Sequence, residues 1–187
     1  MPAAVILAAL GLNAVLGGSL PASVRLSPLS TPIVQFLTAF PLYLFVGGPL
    51  GEELGWRGYA LPRLLRRQSI FWSGLIIGMI WALWHLPLFW VPSSGSGSGW
   101  SDFVWFFFQL TGWSLMLAWL YARTNGNLLL CVLFHAAINT TFSAVLPVAP
   151  MYAGQNQPIM LTDLVIWCVA CAIVLGPLGR RAKTALG

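Results

Sequence analysis

The chain has 187 residues, of which 58% are hydrophobic and only 7% charged, with a mean hydropathy of +0.83 and a net charge of +5. A soluble domain is about 25% charged, so this chain cannot cover its own surface in water, and a soluble fold is excluded. The basic excess is not interleaved with aromatic residues on a polar face, which argues against nucleic acid and leaves membrane orientation and anionic lipid headgroups as its meaning.

A spanning helix needs about 20 mostly apolar residues, and six such segments can be read in chain order. The first, 2–17, is short and lacks the basic start of a signal peptide. The second begins at Pro32 and runs through Phe45, although its apolar character extends from 33 to 50 and its periodicity to Leu65. Gly47, Gly48 and Pro49 favour a kink or break there. The alternatives are one long tilted helix or a new helix opened by Pro49 with Glu52 near its first turn. The third span is 71–91, and Pro87 inside it loosens local backbone bonds. The fourth is 103–122, the fifth 128–147 and the sixth 159–178. A Gly/Ser linker at 92–99, a tight turn at 124–127 and a polar loop at 153–158 separate the later ones. Trp90, Trp100 and Trp105 read as an aromatic belt around that linker. The reading is an all-α, polytopic transmembrane helical bundle of about six spans, a single integral-membrane domain over 1–187.

If the spans alternate, Arg63, Arg66, Arg67, Arg123, Arg180, Arg181 and Lys183 share one side, and Arg25 alone lies on the other. The positive-inside rule then places both termini in the cytoplasm, in the plasma membrane of a prokaryote. Cys131, Cys168 and Cys171 all lie in apolar stretches and read as small hydrophobes. Asn13, Gln35, Thr38 and Gln109 read as packing contacts between helices.

Against this background the polar residues within the spans stand out, because an ionisable group in a membrane is costly and marks function by default. Glu52 and Glu53 are adjacent, with Arg57 following. Glu53 and Arg57 are four residues apart and share a helical face, whereas Glu52 points about 100° away. The expected division is a Glu53 neutralised by Arg57 and a Glu52 left without a cationic partner, facing a cavity as a general base. Gly47, Gly51 and Gly55, with Gly58, form a small-residue stripe expected to admit a neighbouring helix. His85 follows Trp81 by one turn on the third span, and His135 precedes Asn139 by one turn on the fifth. A neutral imidazole and a carboxamide side by side can both donate to a developing oxyanion.

Together, Glu52-Glu53-x-x-x-Arg57, Trp81-x-x-x-His85 and His135-x-x-x-Asn139 resemble the three motifs of the CAAX-protease and bacteriocin-processing (CPBP, or Abi) family of intramembrane proteases. Each motif alone is common, but their order on three apolar spans, across a core of 52–142, is specific. Trp81 stands where the family usually has phenylalanine, and a packing role is expected of it. The stretch before the first motif is shorter than in many members, which implies a trimmed N-terminus or a reduced substrate groove.

The resemblance implies an endopeptidase that hydrolyses membrane-associated protein or peptide substrates within or at the bilayer. Glu52 would match the catalytic glutamate, His85 would help activate water, Glu53 and Arg57 would be the supporting pair, and His135 with Asn139 the second-histidine motif. The family is often labelled metalloprotease. Glu52, His85 and His135 could ligate a zinc ion with an open position for water, and a metal-free mechanism built on Glu52 and His85 is equally open. Two other functions use the same residues: a catalytically silent membrane immunity or binding protein, and a small proton-coupled transporter, against which the lack of an inverted repeat counts.

Overall fold

The computed structural model describes residues 2–18, 30–91, 99–142 and 156–177. Arg25, the linker stretch 92–98 and the basic residues Arg180, Arg181 and Lys183 lie outside the described residues. Among the described residues the secondary structure is helical throughout, with no strand. The elements are α1 (Pro2–Val15), α2 (Ser30–Phe45), α3 (Pro49–Glu53), a π-helical segment (Leu54–Ala60), α4 (Leu61–Leu65), α5 (Ile70–His85), a 3-10 turn (Leu86–Trp90), α6 (Gly99–Arg123), α7 (Leu128–Thr140) and α8 (Asn156–Leu175).

Two stretches, Ile70–Trp90 and Gly99–Arg123, are long and apolar enough to cross a membrane by themselves. A third candidate is the pair Ile33–Phe45 and Pro49–Leu65, bent by 50°. Leu128–Thr140 and Leu161–Leu175 are shorter apolar helices. The protein is therefore a helical integral-membrane bundle, with its segments in the order read from the sequence. Some limits move: α6 starts at Gly99, and α8 starts at Asn156, inside a stretch expected to be a loop.

The break at Pro49 is real. Gly48 holds φ at +96°, in the left-handed region open to glycine, and Pro49 follows at the first helical position, where its missing N–H costs nothing. Glu52 N then donates to Gly48 O at 2.8 Å, closing the first turn of the new helix. From Leu54 the helix widens into π geometry and narrows again at Leu61. Such π segments often sit at functional sites.

At its C-terminal end, α5 tightens at Leu86, just before Pro87. The turn after α6 places Asn125 (φ +53°) and Gly126 (φ +79°) in left-handed conformations, and the Asn127 side chain caps α7 by accepting from Leu130 N.

α6 is the centre of the bundle and packs on α5, α7 and α8, while α1 packs on α8 and α2 on α7. Trp113, Leu115, Met116, Ile77 and Ile166 form the heart of the main core, and Trp81, Leu117 and Cys131 a second cluster. The close approach of α5 to α6 comes from Gly74 and Gly78. A methyl group at Gly78 would stand 2.8 Å from Thr111 Cα, and one at Gly74 would stand 3.1 Å from Leu115 Cα.

This corrects the expectation for the first glycine stripe. Gly51 and Gly55 have nothing within 4 Å of a built methyl, and Gly47 faces Tyr43 of its own chain segment. Only Gly58 of that set meets another helix, at Leu128. The stripe is exposed because α3 and the π segment turn their Glu53–Arg57 face inward instead.

Candidate active site

Glu53 and Arg57 are both fully buried, and Arg57 Nη1 donates to Glu53 Oε1 at 2.8 Å across one helical turn. The same oxygen takes His135 Nδ1 of α7 at 2.9 Å. A carboxylate only accepts, so Nδ1 of His135 carries the hydrogen, and Nε2 is the lone-pair nitrogen of the neutral ring. Arg57 also reaches α6, where Nη2 donates to Ser114 Oγ at 3.1 Å. Ser114 in turn donates to Gly74 O of α5 at 2.9 Å. One buried guanidinium thereby ties the π segment to α6 and, through α6, to α5.

Glu52 is half-buried, and its Oε2 accepts the indole N–H of Trp81 at 2.7 Å. Among the described residues Glu52 makes no ion pair, and its partner is a neutral donor. The other carboxylate oxygen lies directly against Gly48, leaving no room there for a side chain.

Trp81 is itself buried and touches four of the motif residues. The Arg57 guanidinium lies over its ring at 4.6 Å, the His135 ring meets it edge-on at 5.0 Å, and its backbone carbonyl accepts His85 Nδ1 at 2.9 Å. The bond to a carbonyl again puts the hydrogen on Nδ1 and leaves Nε2 as the acceptor in the neutral ring. His85 ends α5 half-buried, with its ring packed against Trp84 at 4.9 Å and Phe106 at 5.3 Å. Asn139, one turn beyond His135, donates through Nδ2 to Gly47 O at 3.3 Å. It thus ties α7 to the break from which Glu52 emerges.

The structure links Glu52, Glu53, Arg57, His85 and His135, from three separate segments, in one hydrogen-bonded and ring-packed set through Trp81, and ties Asn139 to the Gly47 carbonyl at the break beside them. Sequence reading missed two members, Trp81 as a donor and Ser114. The signal for Ser114 was its hydroxyl in the middle of an apolar span, where it must find a partner. The indole donor had no signal, because its acceptor lies on another segment.

A metal would need three ligands brought together. Among the described residues no group of three or more His, Cys, Asp and Glu side chains stands so as to hold one. Glu52 is bonded to Trp81, and His85 and His135 are each held through Nδ1 by a different acceptor, which leaves the Nε2 of both rings unused by these bonds.

A family model described as Type II CAAX prenyl endopeptidase Rce1-like matches residues 34–141, a stretch that carries every site residue. The curated CAAX prenyl protease 2 of Methanococcus maripaludis is 30% identical over 138 residues, covering 72% of this chain and 48% of the relative. The chain spans about half the length of that relative.

Proposed function

The chain belongs to the Rce1-like family of type II CAAX prenyl endopeptidases, and from that premise we propose that it hydrolyses peptide bonds near the C-termini of membrane-anchored, CAAX-type prenylated substrates. The observation that carries the reading is the joining of Glu52, Glu53, Arg57, His85, His135 and Asn139 through Trp81 and the break at Gly47 and Gly48.

In this reading Glu52 is the general base. It takes a proton from water as the water oxygen attacks the scissile carbonyl carbon, and the carbonyl electron pair moves onto oxygen. The proton passes to the amide nitrogen as the C–N bond breaks, leaving an amine and a carboxylic acid that releases its remaining proton to solvent. His85, held through Nδ1, accepts the water's second hydrogen through Nε2 and orients it. Asn139 faces the developing oxyanion, its Nδ2 exchanging the long bond to Gly47 O for the substrate oxygen, and His135 precedes it by one turn on the same helix. Glu53 and Arg57 fix His135 in place.

In this reading Glu52 and His85 act on water without a metal, so purified protein should contain well under one zinc per chain and keep its activity in chelator.

The test is cleavage of a farnesylated peptide ending in a CAAX sequence, with the full chain in liposomes. Wild type should cleave, and Glu52→Gln should not. A silent binding protein or a transporter would leave the peptide intact with either chain, and that result would end the peptidase reading.

A further inference from the structure

Trp81 carries contacts that a packing role does not require. Its indole N–H is only a donor, and it is spent on one oxygen of Glu52 at 2.7 Å. The ring that bears it is 1% exposed and packed by the Arg57 guanidinium over its face at 4.6 Å and by the His135 ring, set steeply to it, at 5.0 Å. Arg57 is in turn locked by Glu53 and Ser114. The hydrogen bonds of Arg57 go to those two residues, and its route to Glu52 runs through the indole.

We infer that Trp81 is a positioning residue for the base: its N–H holds Glu52 Oε2 in one orientation, leaves Oε1 for the water, and couples the buried Glu53–Arg57–Ser114 network to the reacting carboxylate. A cation over the ring face draws electron density from it and strengthens the N–H as a donor. The buried ion pair thus acts on Glu52 at one remove, which gives Arg57 a purpose beyond neutralising Glu53. Orientation matters because a base free to rotate loses most of the advantage of being held near its water.

The inference rests on the peptidase reading, and its test separates the two. Trp81 is replaced by β-(3-benzothienyl)alanine, in which sulfur takes the place of the N–H and the shape of the ring is kept. The substituted chain in liposomes is assayed on the farnesylated CAAX peptide across pH. Loss of one hydrogen bond to a charged group should lower kcat about tenfold to a hundredfold with KM unchanged. The acid limb of the rate–pH profile should move up by about one pH unit, because the ionised base has lost a donor. Trp81→Phe, which keeps a ring beneath Arg57 but has no donor, should show the same displacement of the acid limb. A benzothienylalanine chain with wild-type kcat and an unmoved acid limb would overturn the role of Trp81 and leave the peptidase reading standing. A wild-type chain that fails to cleave the peptide would overturn both.

Discussion

Arg57 is fully buried in an apolar bundle, and it is held by a carboxylate, a hydroxyl and an indole face. A buried pair is costly to form, but breaking it by removing one member leaves an uncompensated charge. Arg57→Ala should therefore destabilise the protein by about 3–5 kcal/mol, read as a large fall in the thermal unfolding temperature. Glu52→Gln should unfold close to wild type, because Glu52 is half-buried and its amide oxygen can still accept from Trp81. The two adjacent glutamates would thus separate cleanly, one by stability and the other by activity. Asn139→Ala removes a single donor, so its rate loss should be about a hundredfold to a thousandfold, smaller than that of Glu52→Ala in the same peptide assay.

The contrast between the glutamates was legible from residue spacing alone, since i and i+4 share a face and i and i+1 do not. What spacing could not reveal was the indole on Glu52 and the hydroxyl on Arg57. Both contacts cross between elements far apart in the chain, and hydrogen bonds of that kind depend on how the helices are set against one another.

Among elements, the decisive feature is the restart of the helix at Pro49. The residues around it were compatible with a kink or a break, because proline is tolerated both at a first helical turn and at a bend. The positive φ of Gly48 decides for a break, and that break puts Glu52 in the first turn of a new helix. Gly48→Ala would combine an unfavourable backbone conformation with a methyl group against the Glu52 carboxylate, so cleavage should fall sharply in the variant.

The glycines of α5 and α3 were indistinguishable in the sequence, since both sets recur at helical spacing. The side on which a helix meets its neighbour separates them. Gly78→Ala forces a methyl group toward Thr111 backbone and should cost about 1–3 kcal/mol. Gly51→Ala meets nothing and should be neutral or mildly stabilising. Equal thermal unfolding of these two variants would contradict the packing of α5 on α6.

At the scale of the whole molecule, the sequence announced a helical membrane bundle because only helices and closed barrels satisfy backbone polar groups in lipid, and apolar runs of about 20 residues fit helices rather than barrel strands. The described helices follow the order read from hydropathy, although among the described residues α5 with its 3-10 extension and α6 alone are both long and apolar enough to span by themselves. Arg63 is exposed within α4, Arg66 and Arg67 are exposed just after it, and Arg123 is exposed at the end of α6. The positive-inside rule predicts a cytoplasmic location for these ends. Single cysteines introduced at Arg67 and Arg123 should therefore be shielded from a membrane-impermeant thiol reagent in intact cells and labelled after lysis. Labelling of either in intact cells would contradict that orientation.

The central claim is that Glu52, held within the set built on Trp81, activates water for peptide hydrolysis. Its most direct measurement is the rate at which the full chain in liposomes cleaves a farnesylated CAAX peptide, wild type beside Glu52→Gln, with thermal unfolding recorded for both. The account expects cleavage by wild type, and a loss of at least about a thousandfold in a variant that unfolds like wild type. Cleavage by Glu52→Gln at the wild-type rate would contradict it.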